Sequence, residues 1–133
     1  MISFEQFRME DGSPIYLQIL RYIKRGVIAG QIKDGDELPS RRVLSALLGI
    51  NPNTAQKAYR MLEEEGLIES RAGAKSYVRV TPETVEAIRK RLLLREIQST
   101  VHTLKEMGLT REEALAYVRD FWDVPAEQED GHD

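Results

Sequence analysis

Two short helices separated by one tight turn constrain the fold of this chain more than any other feature. We predict the first helix over 40–48, because Ser40 is a favourable N-cap residue. Apolar residues recur in this segment at helical spacing, namely Val43, Leu44 and Leu47. Gly49 then ends the helix, since glycine readily adopts the left-handed conformation that closes many helices.

The second helix presents one apolar face and one polar face. Asn51 is placed to cap it, and Pro52 suits the first helical position, where no backbone N–H is needed. The apolar face holds Ala55, Ala58, Tyr59 and Leu62. The opposite face holds Asn53, Thr54, Gln56, Lys57 and Arg60. Amides, hydroxyls and cations contact base edges and phosphates, so we predict a helix-turn-helix whose second helix enters the major groove.

A predicted β-hairpin follows the second helix directly. Residues 67–71 and 76–80 are rich in β-forming residues, and a short turn separates them. A hairpin in this position is the wing of a winged helix. Arg71 and Lys75 flank its tip beside Gly73, which suits contact with the DNA backbone or the minor groove. The predicted fold is therefore mainly α-helical with one small β-hairpin.

The run from residue 39 to 73, PSRRVLSALLGINPNTAQKAYRMLEEEGLIESRAG, resembles the DNA-binding domain of the GntR family of bacterial transcription regulators. The matching marks are Pro39-Ser40-x-Arg42-x-Leu44, Leu48-Gly49-Ile50, Asn53-Thr54, Ala58-Tyr59, Leu62-Glu63, Glu65-Gly66-Leu67-Ile68 and Arg71-x-Gly73. The resemblance extends over residues 14–80, which we predict to be a winged helix-turn-helix DNA-binding domain. The INPNT turn, combined with a short helical tail, resembles the YtrA subfamily.

The resemblance and the exposed helix face together predict the DNA-binding residues. Family members contact DNA at the positions of Arg42, Asn53, Thr54 and Gly73. The full predicted set is Arg41, Arg42, Asn51, Asn53, Thr54, Gln56, Lys57, Arg60, Arg71, Gly73 and Lys75. Arg41 is expected to be exposed and to touch phosphate. Asn51 either contacts DNA or caps its helix, and Arg60 either contacts DNA or pairs with Glu63 or Glu64.

Two positions depart from the pattern of the resemblance. Many members of the family carry arginine where this chain has Pro52 and Gln56. The operator sequence of better-known relatives therefore cannot be transferred to this chain. If Gln56 reads a base, adenine is the base that its amide pairs with best.

The chain before the motif is predicted to hold one helix between two irregular segments. Residues 1–13 are expected to form an extended N-terminal arm, from which Phe4 and Phe7 can pack back on the domain. A helix is predicted over 14–29, where isoleucines and a valine recur every four residues. Residues 31–38 are expected to form a polar connector.

A two-helix C-terminal segment, 81–122, is predicted to form a dimer. Its helices are predicted over 82–107 and 111–122, and Thr110 and Glu113 form a capping box for the second. The two apolar stripes are too large to be buried on each other alone. The alternative to a dimer is that both helices pack on the winged helix of their own chain. The predicted dimer residues are Val85, Ile88, Leu92, Leu93, Ile97, Val101, Leu104, Leu115, Val118, Phe121 and Trp122.

The charge distribution is compatible with a nucleic-acid partner although the net charge is −3. Residues 1–80 hold 12 Lys and Arg against 10 Asp and Glu, a net of +2. Residues 81–133 hold 7 against 12, a net of −5, and their end, 123–133, is acidic and expected to be disordered. Because binding to phosphates depends on local patches, the acidic total does not exclude DNA.

Several other classes of protein are disfavoured. The chain has no cysteine, and its two histidines, His102 and His132, lack neighbours at catalytic or metal-ligand spacing. We therefore expect no enzyme activity, no metal and no cofactor. No apolar run approaches the roughly 18 residues of a membrane span. No signal peptide is recognisable, so a cytoplasmic location is the expectation.

The resemblance implies a homodimeric repressor that binds double-stranded operator DNA with inverted-repeat half-sites. Its target would be an operon that includes its own gene and encodes an ABC transporter. The alternative is a winged-helix protein–protein interaction module without specific DNA binding. An unidentified small-molecule effector could bind at the dimer interface beside Tyr117, Phe121 and Trp122, or these aromatic side chains could simply form its core.

Overall fold

The computed structural model describes residues 1–10, 12–71 and 75–125. Within these ranges the elements, in chain order, are α1 (Ile15–Ile28), β1 (Glu37–Leu38), α2 (Arg41–Leu48), α3 (Pro52–Glu64), β2 (Ile68–Arg71), β3 (Lys75–Val78), α4 (Pro82–Glu106) and α5 (Arg111–Phe121). The chain divides into two compact units, Met1–Arg91 and Leu92–Asp133. The predicted fold class is confirmed, because five helices accompany a small antiparallel sheet in the described chain.

The turn between α2 and α3 has the predicted capping chemistry. The hydroxyl of Ser40 accepts a hydrogen bond from the backbone N–H of Val43 at 3.1 Å. Gly49 then adopts a left-handed conformation, with φ of 65°, and ends α2. The side chain of Asn51 accepts from the backbone N–H of Asn53 at 2.8 Å, so it caps α3 as predicted. These contacts satisfy backbone groups that helix ends otherwise leave unpaired.

The apolar face of α3 is the centre of the first unit. Its four predicted core residues, Ala55, Ala58, Tyr59 and Leu62, are fully buried. Helices α1 and α2 both pack against α3. Since alanine occupies little volume, Ala55 and Ala58 leave room for the neighbouring helices to pack against α3. Tyr59 fills the space beside them and donates a 2.6 Å hydrogen bond from its hydroxyl to the carbonyl of Pro39.

The prediction for the apolar face of α2 was partly wrong. Leu44 is fully buried, but 43% of Val43 and 66% of Leu47 remain exposed. The buried side of α2 is formed by Leu44, Ser45 and the half-buried Leu48. One residue along a helix turns the side chain by about 100°, so a two-turn helix can bury only one narrow stripe.

The N-terminal arm is packed onto the first unit rather than extended from it. Phe4 and Phe7 are buried, as the sequence suggested, and so is Ile2. The rings of Phe4 and Phe7 lie 5.0 and 5.4 Å from the ring of Tyr22 on α1. The side chain of Gln18 forms hydrogen bonds with both the N–H and the carbonyl of Glu10, which fixes the end of the arm.

The sheet has a third strand that the sequence analysis missed. The strand order is β1-β3-β2, and both neighbouring pairs are antiparallel. The missed strand, β1, lies in the segment predicted to be a polar connector. It spans only Glu37 and Leu38, which is too short for an alternating pattern to be recognised. On the other side of β3, Ser70 of β2 pairs with Ser76.

The C-terminal helices have nearly the predicted bounds. Thr110 and Glu113 form the predicted capping box at the start of α5. The pKa of Glu113 is lowered, chiefly because its carboxylate accepts a hydrogen bond from the backbone N–H of Thr110. Val85 and Ile88, at the start of α4, are half-buried against the core of the first unit. None of the described helices is both long and apolar enough to cross a membrane.

Candidate nucleic-acid interface

The outer face of α3 carries the polar groups that the sequence analysis assigned to DNA. Asn53, Gln56, Lys57 and Arg60 are exposed, and Thr54 is half-buried. They lie on the side of α3 that faces away from its buried alanines. The first two turns therefore present amide, hydroxyl and ammonium groups to solvent without an acidic residue among them. Such a surface can donate and accept hydrogen bonds at base edges.

Two cations on α3 are held in different ways. The ammonium of Lys57 lies 4.0 Å from the centre of the Tyr16 ring, which restricts its position by a cation–π contact. Arg60 forms an ion pair with Glu64 at 3.9 Å, which is one of the alternatives left open above. Both partners are more than half exposed, so this pair is weak and does not prevent Arg60 from reaching a phosphate.

Arg41 is not the exposed phosphate contact that we expected. Only 23% of its side chain is exposed, and its Nη2 lies 2.9 Å from Oε1 of Glu63. Its guanidinium also lies over the ring of Tyr59, 5.1 Å from the ring centre. The side chain turns inward because Glu63 and Tyr59 on α3 offer it both a negative charge and an aromatic face.

Arg42, the next residue, has the opposite environment. It is exposed at the first turn of α2 and makes no hydrogen bond or ion pair with any described residue. Its guanidinium is therefore available to a phosphate or a base. Asn51, in contrast, uses one lone pair of its side-chain oxygen to cap α3, and its amide N–H groups face no such demand.

The wing contributes two further cations. The guanidinium of Arg71 stacks over the ring of Tyr77, 4.5 Å from its centre. Lys75 lies 3.8 Å from a carboxylate oxygen of Glu37 and is 63% exposed, so this ion pair holds it weakly. The predicted contact at Gly73 lies outside the described residues, as does the rest of the tip, 72–74.

The aromatic residues that position these cations were missed in the sequence analysis. Tyr16 on α1 contacts Lys57 on α3. Tyr77 on β3 contacts Arg71 on β2, diagonally across the strand pair. Their sequence separation is 41 residues for one pair and 6 for the other, so helical spacing could not reveal them. The one sequence signal for such a contact was Tyr77, an aromatic residue in a predicted wing strand that also holds a cation.

No group of three or more potential ligands that could hold a metal ion occurs in the described ranges. Burial raises the pKa of the Tyr59 phenol well above its usual range, so the phenol stays protonated and continues to donate to Pro39.

Three packed helices, a small sheet and a polar, partly cationic recognition helix define a winged helix-turn-helix DNA-binding protein. The sequence model described as "Bacterial regulatory proteins, gntR family" matches residues 15–78. The chain belongs to the GntR family of bacterial transcription regulators. It is thus a DNA-binding regulator of transcription and not an enzyme.

Two relatives match more than two thirds of the chain. It is 32% identical over 114 residues to the uncharacterized regulator YhcF of Bacillus subtilis, covering 86% of this chain and 94% of that protein. It is 37% identical over 91 residues to the transcriptional repressor YtrA of Bacillus subtilis, covering 68% and 70% of the two chains. These matches support the predicted YtrA-like subfamily.

A solved structure confirms the architecture. A GntR family transcriptional regulator from Listeria monocytogenes superimposes with a TM-score of 0.73 at 29% sequence identity. The match covers 84% of this chain and 98% of the Listeria chain. The family assignment favours transcription regulation over the alternative of a protein–protein interaction module.

Replacing Arg42 by alanine should weaken binding to specific DNA by about 1–3 kcal/mol, because an exposed and unpaired guanidinium is lost. Arg41→Ala should lower the free energy of unfolding by about 1 kcal/mol, because it removes a stacking contact inside the domain. Fluorescence anisotropy with labelled promoter DNA and urea denaturation measure the two effects.

The matched control for Arg42→Ala is Arg111→Ala, which removes the same charge from an exposed position on α5. This control should leave specific affinity nearly unchanged. Equal weakening by the two variants would mean that only net charge matters, and Arg42 would not be a contact residue.

Proposed function

We propose that this chain is a homodimeric transcriptional repressor that binds an inverted-repeat operator near its own gene. The observation that carries the proposal is a pair of surfaces: the polar face of α3 in the first unit and an exposed apolar face in the second. A repressor among the relatives, YtrA, supports the sign of regulation. Since regulators of bacterial transcription act at the chromosome, the proposed location is the cytoplasm.

The second unit leaves many large apolar side chains exposed to solvent within one chain. The second unit holds the part of α4 from Leu92 onward and all of α5, and neither helix contains a buried residue. Its exposed large apolar side chains include Leu93, Leu94, Ile97, Val101, Leu115, Tyr117, Val118, Phe121 and Trp122. Contiguous apolar surface of this kind marks an interaction site in a protein that stays in solution. The occupant we propose is the same surface of a second copy.

The apolar residues of α4 form a continuous stripe. Leu93, Ile97 and Val101 are spaced four residues apart, and all three are between 43% and 54% exposed. Residues at this spacing lie on one helix face, so two copies can pack these faces across a two-fold axis. Val85 and Ile88 contribute less than the sequence suggested, because they are already half-buried in their own chain.

The recognition surface explains why a dimer is useful. One α3 reaches only a few base pairs with Asn53, Thr54 and Gln56, and Arg42 and Lys57 add contacts to its flanks. A two-fold dimer places two such helices on half-sites about 10 base pairs apart, so each half-site contributes to specificity. The proposal does not require a small-molecule effector.

Replacing Val101 by glutamate should dissociate the dimer, because the new carboxylate would have to be buried in an apolar interface. Light scattering should give a mass near the monomer value of 15.2 kDa for the variant and twice that value for the wild type. Operator affinity should fall by about 100-fold or more, since the two half-sites are then bound independently.

Ser99→Glu is the matched control, because residue 99 is exposed and lies on the opposite side of α4 from the apolar stripe. The control should remain dimeric and keep its affinity. A monomeric wild type, or a dimeric Val101→Glu variant with full affinity, would refute the proposed interface.

The repressor role is tested by transcription in vitro from a template that carries the promoter of the chain's own gene. Added protein should reduce the transcript, and Arg42→Ala should require a higher concentration for the same reduction. An increase of the transcript would identify an activator. No effect at concentrations that saturate the DNA would contradict control of this promoter.

A further inference from the structure

A polar cluster connects all the elements that carry candidate DNA contacts. We call it the Glu63 network, and its members are Arg41, Tyr59, Glu63, Ser70 and Ser76. They belong to α2, α3, β2 and β3. Arg41 donates to Glu63 at 2.9 Å, and the hydroxyl of Ser70 also donates to Glu63. The hydroxyls of Ser70 and Ser76 are 3.3 Å apart, so the cluster extends from β2 to β3.

The carboxylate of Glu63 is the point where the two branches meet. One oxygen, Oε1, accepts from both Arg41 and Ser70. Arg41 is in turn held over Tyr59, whose hydroxyl is bonded to the carbonyl of Pro39 just before α2. The start of α2 and the edge strand of the wing are therefore both attached to a single side chain on α3.

Each branch of the network ends beside a candidate DNA contact. Arg41 is adjacent in sequence to Arg42. Ser70 is adjacent to Arg71, and its strand partner Ser76 is adjacent to Lys75. A displacement of any of these network residues would thus move a cation of the proposed interface.

The wing depends on this attachment because of its place in the sheet. Strand β2 is at the edge and is bonded to β3 alone, since the order is β1-β3-β2. At its first residue, Ile68, it is anchored by burial in the core. Ser70, two residues nearer the tip, is exposed, and Glu63 is its link to the helices.

Stability alone does not account well for the network. The ion pair of Arg41 and Glu63 leaves 23% and 35% of the two side chains exposed. Ion pairs that solvent reaches contribute little to the free energy of unfolding. A charge-assisted hydrogen bond nevertheless fixes geometry, and several bonds that share one acceptor fix several elements relative to one another.

We propose that Glu63 is a positioning residue that, through Ser70 and Arg41, holds the wing and the start of α2 at fixed places relative to the recognition helix. Phosphate contacts from Arg71 and Lys75 then form at the same time as the contacts of α3. This inference rests on the proposed function, since it requires that the wing cations touch operator DNA.

The test combines Ser70→Ala with loss of the wing cations. Four proteins are compared: wild type, Ser70→Ala, Arg71→Ala/Lys75→Ala, and the triple variant. Fluorescence anisotropy with DNA from upstream of the chain's own gene gives affinity as a function of salt. Ser70→Ala should weaken binding about 3- to 10-fold, which corresponds to one hydrogen bond. In the background without Arg71 and Lys75 it should have no further effect.

The salt dependence supplies a readout that a loss of stability would not change. Each lost phosphate contact should make the plot of log affinity against log salt less steep by about 1. The slope for Ser70→Ala should therefore move toward that of Arg71→Ala/Lys75→Ala. Denaturation curves should show that all four proteins remain folded at the assay temperature.

A second variant tests the network at its centre. Glu63→Gln removes the charge that holds Arg41. Glu69→Gln is the matched control, because it removes one carboxylate six residues away on β2 that pairs with Arg79 and lies outside the network. Both variants gain the same net charge, so their difference reports the network. Glu63→Gln should weaken operator binding relative to the control. When Arg71 and Lys75 are absent, the effect should shrink to the part that passes through Arg41 to Arg42.

The outcomes separate this inference from the proposed function. A wild type that binds no upstream DNA specifically would contradict the proposed function itself. If the wild type binds specifically but Ser70→Ala weakens binding equally with and without Arg71 and Lys75, only the positioning role is overturned. The same holds if Ser70→Ala has no effect in either background. The same role would be overturned if Arg71→Ala/Lys75→Ala left affinity unchanged.

Discussion

The burial of one face of α3 determines most of what this molecule can do. Ala55, Ala58, Tyr59 and Leu62 are fully inaccessible, and α1 and α2 pack around them. Because a helix has a fixed rotation per residue, burial of this face leaves the residues between them facing solvent. The polar side chains available to DNA are thus specified by the same interaction that forms the core. A polar substitution at Ala58 would disturb both at once.

The proposed function is divided between two parts of the chain that bury apolar surface in different ways. The first unit buries its apolar residues internally, including the aromatic residues of the arm, and exposes amides and cations. The second unit leaves Ile97, Val101 and Phe121 largely exposed and carries most of the acidic excess. A single domain of the first kind reads only a short DNA segment, so specificity in the proposed mechanism depends on the pairing provided by the second.

Local chemistry was enough to predict the helices, whereas contacts between distant residues were not predictable. Ser40, Gly49, Asn51 and the capping box at α5 act within a few residues, so their positions predicted helix ends correctly. The two-residue strand β1 exists only because β3 pairs with it, and no pattern in so short a segment indicates that. Arg41 was expected to be exposed because it stands beside Arg42 at the start of a helix. It turns inward because its partner, the carboxylate of Glu63, is 22 residues away in the sequence, and no local pattern indicates that pairing.

The most direct test of the account is selection of binding sites from random-sequence DNA with the purified full chain. A dimer that uses two recognition helices should enrich an inverted repeat whose half-sites lie about 10 base pairs apart. The same selection with Arg42→Ala should enrich this motif less strongly. Enrichment of a single asymmetric motif would contradict the two-fold arrangement, and no enrichment at all would contradict sequence-specific reading by α3.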